Sequence, residues 1–442
     1  MALPGPPLLE QVILGPLLLR APYLSLPRLY ERYGPVVALG LGPARYVLLL
    51  GREANQLVLA DSPSSFEWRP ATKPLVAVDG DTAMVVSDGA DHARRRRVVQ
   101  PEFGLRTVAR HVPAMVEEVD RMVDRWTPGD RLDVHAAARR TIRRTVVRSL
   151  FGDGLGDRAD ELGKHLEVPI AYVMNQIPGF RLDVELPGLP YARSQRSRRR
   201  ADRIVFEEIT DRRRRGGDDD VLARLVAAAA DPSGGLSDVE VRDQVVSLVA
   251  AGYYTTSAAV AWTVHAIWRH PEVLAALRAE LDAVAGDGDL PWDRLAAMPY
   301  LDAVVRESLR LWPPGPFGGR RTTEPVQLDG TEIPARTQVL YSAYLTHRLP
   351  ELWPQAERFL PDRWIQGTTH HHEPAPYAYV PFGAGGRQCI GFQMATMNVK
   401  VVVARLVQRT ELRLTSDRLH PTGLGVMVPL GGVRATVLPT PP

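Results

Sequence analysis

The sequence segment Phe382-Gly-Ala-Gly-Gly-Arg-Gln-Cys-Ile-Gly391 contains the only cysteine among 442 residues, Cys389. A single thiol can neither close a disulfide nor build a structural zinc site, which needs several protein ligands. The glycines around it permit tight loop geometry, and Arg387 offers a cation for a haem propionate. The segment therefore suits a thiolate that faces haem iron, whereas a buried and inert cysteine is the alternative that the segment alone leaves open.

This segment resembles the haem-binding loop of the cytochrome P450 family, whose pattern is Phe-x-x-Gly-x-Arg-x-Cys-x-Gly. Every fixed position of the pattern is matched in this sequence. The resemblance implies that Cys389 is the proximal ligand of haem iron, that Phe382 packs near the sulfur, and that Arg387 pairs with a propionate. The loop residues expected to contact haem b are Phe382, Gly383, Arg387, Cys389 and Gly391.

The residues after Gly391 alternate apolar and polar side chains at helical spacing, which predicts a helix from Phe392 to about Gln408. Cys389 would then lie just before the N-terminus of that helix. The partial positive charge at a helix N-terminus would help to hold a thiolate.

A long helix is predicted from the capping box Ser237-Asp-Val-Glu240, in which two side chains bind the free amides of a helix start, to the helix-ending Pro271. Its middle has the sequence Ala251-Gly-Tyr-Tyr-Thr255, followed by Thr256, where the P450 family has Ala-Gly-x-acid-Thr. The resemblance implies that Thr255 hydrogen-bonds dioxygen or a water and helps to deliver the protons that split the O–O bond. Ala251 is expected to line the haem, and the expected catalytic residues are Gly252, Thr255 and Thr256.

The position that holds an acid in the family holds Tyr254 in this sequence. A phenol is a much weaker acid than a carboxylic acid. The usual proton relay is therefore in doubt, and water chains or a hydroxyl group of the substrate are the alternative proton sources.

A second helix is predicted from Tyr300 to Leu311, and it carries Glu307 and Arg310 on one face. On spacing alone this would be a surface pair worth a few tenths of a kcal/mol. The P450 family, however, has a Glu-x-x-Arg pair here, joined by an arginine from a downstream Pro-Glu-Arg-Phe segment. Because Ala356-Glu-Arg-Phe359 matches that segment except at its first position, the resemblance implies a shielded network of Glu307, Arg310 and Arg358 that supports the cysteine loop.

Further haem contacts follow from the resemblance. His92 and Arg96 match an aromatic-or-His residue followed four positions later by arginine, and this spacing places both on one face of a helix. Arg320 is the other expected propionate ligand, although the adjacent Arg321 is an alternative. We expect the substrate pocket to be walled by residues 66–88 and 167–190, with possible substrate contacts at Ser247, Ala250, Tyr253 and Phe317.

The expected fold is mainly α with small β-sheets, the P450 fold, in one large haem domain. Helical periodicity dominates after short extended segments at residues 36–41 and 46–50. A Pro- and Leu-rich lead of residues 1–29 should precede the haem domain of residues 30–442. The apolar stretch from Leu8 to Leu19 is too short and too interrupted for a transmembrane span or a signal peptide.

The amino-acid composition limits the cellular compartment and the classes of binding partner that we expect. A single cysteine argues for a reducing interior, so we expect a cytoplasmic protein. The net charge is only +3, and the arginine runs lack interleaved aromatic residues, so they favour solvated helix faces over nucleic-acid binding. The resemblance implies a separate ferredoxin with its reductase, or a flavodoxin-type donor, and the expected donor contacts are Arg94, Arg95, Arg97 and Lys400.

The leading hypothesis is a haem-thiolate monooxygenase that hydroxylates or epoxidises a lipophilic small molecule in secondary metabolism, with O2 as co-substrate. An electron-independent rearrangement or dehydration enzyme is the first alternative, because Tyr254 replaces the acid. The second is a haem-binding protein without catalysis, which would not need Gly252 and Thr255. Terpenoid, polyketide, fatty-acyl and steroid-like substrates all fit the apolar bias of the expected pocket.

Overall fold

The computed structural model describes residues 3–11, 22–40, 42, 45–61, 63–152, 154–156, 158–174, 184–215, 220–229, 235–285, 288–416 and 418–439. Helices make up most of this chain, which confirms the expected mainly α fold. The helices are α1 (Pro22–Tyr33), α2 (Arg52–Gln56), α3 (Arg69–Thr72), α4 (Val76–Asp79), α5 (Gly89–Val99), α6 (Leu105–Val123), α7 (Val134–Phe151), α8 (Arg158–Met174), α9 (Pro190–Arg215), α10 (Val221–Ala229), α11 (Asp238–Arg269), α12 (Pro271–Val284), α13 (Trp292–Ala296), α14 (Pro299–Leu311), α15 (Ala343–Thr346) and α16 (Phe392–Arg409).

Short strands form small sheets beside these helices. The strands are β1 (Val36–Leu39), β2 (Tyr46–Leu49), β3 (Phe66–Glu67), β4 (Arg131–Asp133), β5 (Phe317–Thr322), β6 (Val326–Leu328), β7 (Thr331–Ile333), β8 (Gln338–Ser342), β9 (Glu411–Leu414), β10 (Pro421–Thr422), β11 (Val428–Pro429) and β12 (Arg434–Leu438). The largest sheet has the order β1-β2-β8-β5-β3, and the others are β4-β12-β9, β6-β7 and β10-β11.

The chain divides into two compact units. The first comprises Met1–Glu67, Met115–Arg139 and Thr255–Pro442, and it contains all four sheets. Its apolar residues cover both faces of the largest sheet, because alternate residues of a strand point to opposite faces. Val47 and Leu49 of β2 pack in one buried cluster, whereas Leu48 packs in another.

The second unit comprises Trp68–Ala114 and Arg140–Tyr254 and is built from helices. Its core contains buried ion pairs as well as apolar side chains. The guanidinium of Arg212 on α9 lies 2.9 Å from Oε1 of Glu208 and 2.7 Å from Oδ2 of Asp220. Buried charges of this kind persist when they are paired and hydrogen-bonded.

Helix α11 begins at the predicted capping box. The amide of Ser237 donates to Glu240 Oε2 at 3.0 Å, and the amide of Glu240 donates to Ser237 Oγ at 3.3 Å. Among the described helices, α11 alone is long and apolar enough to cross a membrane, but 72% of its apolar window is buried inside the protein. This burial is what a helix through a protein core requires.

The predicted boundary between the lead and the haem domain, at residue 30, falls inside α1 (Pro22–Tyr33). Tyr23, Leu26 and Leu29 of α1 are buried in a core cluster of the first unit. Further upstream, the carbonyl of Pro4 accepts a hydrogen bond of 2.7 Å from the amide of Ala38 in β1. These contacts make the described parts of the lead integral to that unit. Most of the apolar stretch from Leu8 to Leu19 lies outside the described residues.

Candidate active site

The cysteine loop belongs to the first unit and is shaped by glycines. Gly383 and Gly385 have φ angles of 66° and 64°, which L side chains rarely adopt. A Cβ atom on Gly385 would lie 2.1 Å from the carbonyl oxygen of Leu59, so only glycine fits there. The amide of Cys389 donates to the carbonyl of Phe382 at 2.9 Å. The backbone that leads into Cys389 is therefore constrained from Phe382 onward.

Cys389 is exposed, and α16 begins three residues later at Phe392. The alternative of a buried, inert cysteine is therefore wrong. The ring of Phe382 packs against that of Phe392, with centroids 6.1 Å apart. The loop thus presents an accessible thiol beside a helix N-terminus, which is a favourable place for a thiolate.

The two candidate arginines of β5 have separate environments. Arg320 is 3% exposed, donates to the carbonyl of Gly319 at 2.7 Å, and lies with Cζ 5.8 Å from the centre of the Tyr341 ring. Arg321 instead binds Glu67 Oε1 at 2.5 Å. Because Arg321 is engaged by a carboxylate, Arg320 remains the better candidate for a haem propionate.

The cysteine loop fits haem b by its donor chemistry. It offers one accessible sulfur and a Gly-rich backbone in which a side chain at Gly385 would clash. It also offers the half-buried cation Arg387, in the turn Gly385–Arg387. Arg320 adds a second cation in the same unit. A thiolate with nearby guanidinium groups is the combination that binds iron and two propionates.

A buried network centred on Glu307 lies in the same unit. Both Glu307 and Arg310 are 0% exposed, and the guanidinium of Arg310 binds both carboxylate oxygens at 2.9 Å. Three further donors reach the carboxylate at 3.0 Å. They are the guanidinium of Arg363, the indole nitrogen of Trp364 and the amide of Leu360. The single negative charge of Glu307 is therefore held by two guanidinium groups and two neutral donors.

The expected position of Arg358 in this network is wrong. Its exposed side chain binds Gln355 Oε1 at 2.6 Å, and only its backbone carbonyl accepts from Arg310, at 3.0 Å. Arg363 supplies the second guanidinium and is 1% exposed. The sequence held a signal for this, because Pro361-Asp-Arg-Trp364 keeps the proline of the Pro-Glu-Arg-Phe pattern that Ala356 lacks.

Helix α11 exposes part of one side in its middle. Ala251 is exposed, and Gly252 and Thr255 are half-buried. Ala251 and Gly252 lie four and three residues before Thr255, so both lie on the side of the helix that Thr255 occupies. A Cβ atom on Gly252 would lie 3.3 Å from Val146, so a larger residue would press on α7. The expected oxygen-binding residues Ala251, Gly252 and Thr255 therefore lie together on the accessible face.

Other residues of α11 point into the protein. Tyr253, Thr256 and Ser247 are all buried, with exposed fractions of 0%, 3% and 7%. Ala250 on α11 and Phe317 on β5 are half-buried. Among the expected substrate contacts, Ala250 and Phe317 are thus the more accessible in this structure.

His92 and Arg96 lie on α5 in the second unit, and both are half-buried. Their spacing of four residues places them on one face of the helix. Arg96 Nε donates to Gln100 Oε1 at 3.2 Å on the exposed side of α5.

Three of the four expected donor contacts are engaged inside the protein. Arg94 and Arg95 both bind Glu240, and Arg95 is 6% exposed. Lys400 is 7% exposed, with Nζ 2.7 Å from Asp302 Oδ1. Only Arg97 of this set is exposed. Arg95 and Lys400 are therefore buried in ion pairs, whereas the side chain of Arg94 stays 30% exposed.

Comparisons with known proteins cover nearly the whole chain. The chain matches the family model Cytochrome P450 over residues 3–431. It is 39% identical over 393 residues to a putative cytochrome P450 139 of Mycobacterium tuberculosis, covering 89% of this chain and 91% of that protein. It is 33% identical to the cyclooctat-9-en-7-ol 5-monooxygenase of Streptomyces melanosporofaciens, covering 86% of this chain and 83% of that protein.

A solved structure extends the likeness to three dimensions. The cyanobacterial CYP120A1 with bound retinoic acid matches with a TM-score of 0.84 and 26% sequence identity. The match covers 93% of each chain. Fold and sequence therefore point to the same family as the cysteine loop.

Proposed function

Because the chain belongs to the cytochrome P450 family, we propose that it inserts one oxygen atom of O2 into a lipophilic small molecule, by hydroxylation or epoxidation. As a member of this family it is an oxidoreductase that uses haem b, with O2 as co-substrate. The observation that carries the proposal is the accessible thiol of Cys389, in a Gly-rich loop at the start of α16.

Each part of the site has a role in this proposal. Haem, when bound, supplies the iron centre at which dioxygen is activated. Cys389 would hold the iron, and the proposed propionate ligands are Arg320, Arg387, His92 and Arg96. These contacts orient the prosthetic group without taking part in bond breaking.

Thr255 would handle protons in this reaction. Its hydroxyl both donates and accepts hydrogen bonds, so it can hold a water or dioxygen beside the accessible face of α11. The small residues Ala251 and Gly252 on that face leave space for dioxygen. Thr256 is buried, so its expected contribution is to the packing behind Thr255.

We propose a terpene-like substrate. One relative is named for its action on cyclooctat-9-en-7-ol, and the structural relative CYP120A1 was solved with retinoic acid. Both named compounds are largely apolar and carry one polar group. A pocket for such a molecule is mostly apolar with few polar contacts, which agrees with Ala250 and Phe317 as wall residues.

The electrons would come from separate proteins in the cytoplasm. A ferredoxin with its reductase, or a flavodoxin-type protein, is the proposed donor. Charged contacts on such a donor would act mainly by steering the encounter. Arg97 is the one exposed cation left among the expected contacts.

A second candidate is rearrangement or dehydration of an oxygenated substrate without external electrons. Tyr254 favours it, because a phenol at the acid position weakens the supply of protons that dioxygen chemistry needs. Thr255 counts against it, since such a reaction has no dioxygen to hold.

One experiment tests the main proposal. Purified haem-loaded protein is reduced in carbon monoxide and scanned, and turnover with ¹⁸O2 is then followed with a surrogate ferredoxin system and candidate terpenoid alcohols. We expect the absorption band typical of thiolate-bound haem, and a product that carries one ¹⁸O atom. Cys389→Ala should lose that band and the product.

Two results would contradict the proposal. A thiolate band in the Cys389→Ala protein would show that another residue binds iron. Product formation that needs no electron donor would favour the rearrangement reaction instead.

A further inference from the structure

His347, next to α15, is fully buried and is hydrogen-bonded through both ring nitrogens. Nδ1 lies 3.0 Å from the carbonyl oxygen of Arg310, and Nε2 lies 2.9 Å from the amide nitrogen of Val380. A carbonyl oxygen can only accept and an amide N–H can only donate. The ring must therefore carry its proton on Nδ1 and leave Nε2 unprotonated.

The surroundings of His347 keep the ring neutral. Burial lowers the pKa of His347 to about 3, and the charges of Arg310 and Arg348 act in the same direction. The ring packs against Tyr379 and Trp353, with centroids 5.4 Å and 6.3 Å away. Burial and the two charges thus keep the imidazole neutral, and the two hydrogen bonds select its tautomer.

The two hydrogen bonds connect the Glu307 network with the cysteine loop. Arg310 Nη1 donates to the carbonyl of His347 at 2.7 Å, so Arg310 and His347 each bind the backbone of the other. On the other side, the carbonyl of Val380 accepts from the amide of Gly383 at 3.1 Å. The turn that leads to Cys389 therefore starts at the residue whose amide His347 holds.

We propose that His347 is a positioning residue for haem ligation: its unprotonated Nε2 holds the Val380 amide and thereby sets the loop geometry in which Cys389 binds iron. In this proposal His347 acts on the cysteine loop through Val380. The inference rests on the proposed haem-thiolate function.

A matched pair of substitutions separates the two hydrogen bonds. The amide of glutamine reaches about as far as Nε2 of histidine, whereas the amide of asparagine reaches about as far as Nδ1. His347→Gln therefore keeps an acceptor for Val380, and His347→Asn keeps a donor for Arg310. Both variants leave a polar amide in the same buried place.

The reduced carbon monoxide spectrum is the readout, taken at equal haem content. We expect His347→Gln to keep the thiolate band. In His347→Asn the ratio of thiolate-bound to thiolate-free haem should fall by about tenfold, the typical effect of leaving one buried amide unpaired. A purely structural role would lower stability in both variants without this contrast.

Equal spectra in the two variants would overturn the inference while leaving the proposed function intact. A wild-type protein without the thiolate band would overturn both. If neither variant takes up haem, neutron diffraction from crystals of the wild-type holoprotein can show which ring nitrogen of His347 carries the proton. A proton on Nδ1 alone supports the inference, and a proton on Nε2 overturns it.

Discussion

At residue 254 a tyrosine occupies the place of the family's carboxylic acid. Tyr254 is half-buried, and its ring meets Tyr253 edge-on with centroids 6.1 Å apart. A phenol is a much weaker acid than the carboxylic acid that it replaces. We therefore propose that Thr255 receives protons from another source, such as a water chain or a hydroxyl group of the substrate.

Substitutions at these two positions should separate proton delivery from packing. Thr255→Ala should still bind substrate but divert electrons into peroxide or water, because the oxygen would be protonated too slowly or at the wrong atom. Tyr254→Phe should leave product per electron nearly unchanged. Tyr254→Asp should raise it if a carboxylic acid restores a relay. The measurement is product formed per electron consumed in all four proteins.

Full coupling in Thr255→Ala would show that Thr255 does not gate protons. A strong loss of coupling in Tyr254→Phe would instead give the phenol hydroxyl a part in the relay. Phe is the matched control for Tyr because it retains the ring and removes only the hydroxyl.

At the scale of elements, α14 is joined to the turn Pro361–Trp364 through one carboxylate. Glu307 binds Arg310 on its own helix and Arg363 on the turn. The ring of Trp353 lies 5.2 Å from Cζ of Arg310 and 5.9 Å from Cζ of Arg363. The charges are shielded from water, so each partner depends on the others.

Arg363→Ala and Arg358→Ala should differ sharply. Loss of Arg363 leaves the buried Glu307 short of a partner and should cost about 3–5 kcal/mol of unfolding free energy. Loss of the exposed Arg358 side chain should change it by less than about 0.5 kcal/mol, because its backbone carbonyl still binds Arg310. Denaturant unfolding and haem content are the measurements.

Equal effects of the two substitutions would contradict this assignment of the network. A folded, fully haem-loaded Arg363→Ala protein would show that the second guanidinium is dispensable. Arg358 is a suitable control because it is five residues away and has the same side chain.

At the scale of the whole molecule, a buried carboxyl group links stability to pH. Asp79 of α4 is 5% exposed. Burial raises its pKa to about 7, the charge of Arg242 opposes this rise, and that of Asp243 adds to it. Arg242 is itself occupied by Asp243 at 2.7 Å and by Asp202 at 2.8 Å. Its guanidinium therefore compensates the charge of Asp79 only in part.

The native state should consequently lose stability as the pH rises, because Asp79 ionises in the unfolded state at a lower pH than in the folded state. Its folded pKa of about 7 exceeds the ordinary value of 3.8, so its contribution to stability is full below about pH 4 and is lost as the pH rises through 7. Between about pH 5 and pH 7 the free energy of unfolding should fall by as much as about 1.4 kcal/mol per pH unit because of Asp79. Asp79→Asn should remove this part of the pH dependence in urea unfolding.

The comparison of Asp79→Asn with wild type isolates one group among many that titrate. Asp91→Asn is the matched control, because Asp91 lies in the same unit and its side chain is 66% exposed. An unchanged pH profile in Asp79→Asn would show that Asp79 is already ionised at neutral pH in the folded protein.

The sequence by itself determined the elements whose signals are local. The Ser237–Glu240 capping box placed the start of α11, and the helix predicted after Gly391 is observed as Phe392–Arg409. Such signals act within one or two turns of backbone, so no distant partner is needed to find them. The single cysteine and its glycines identified the loop for the same reason.

Only the tertiary structure decided which side chains meet. Arg358 and Arg363 lie in similar short motifs, but only Arg363 turns inward to Glu307. Lysine side chains usually lie at the surface, yet Lys400 is buried beside Asp302. The tautomer of His347 depends on its hydrogen bonds with Arg310 and Val380. These outcomes depend on partners dozens of residues away or on desolvation, and local spacing contains neither.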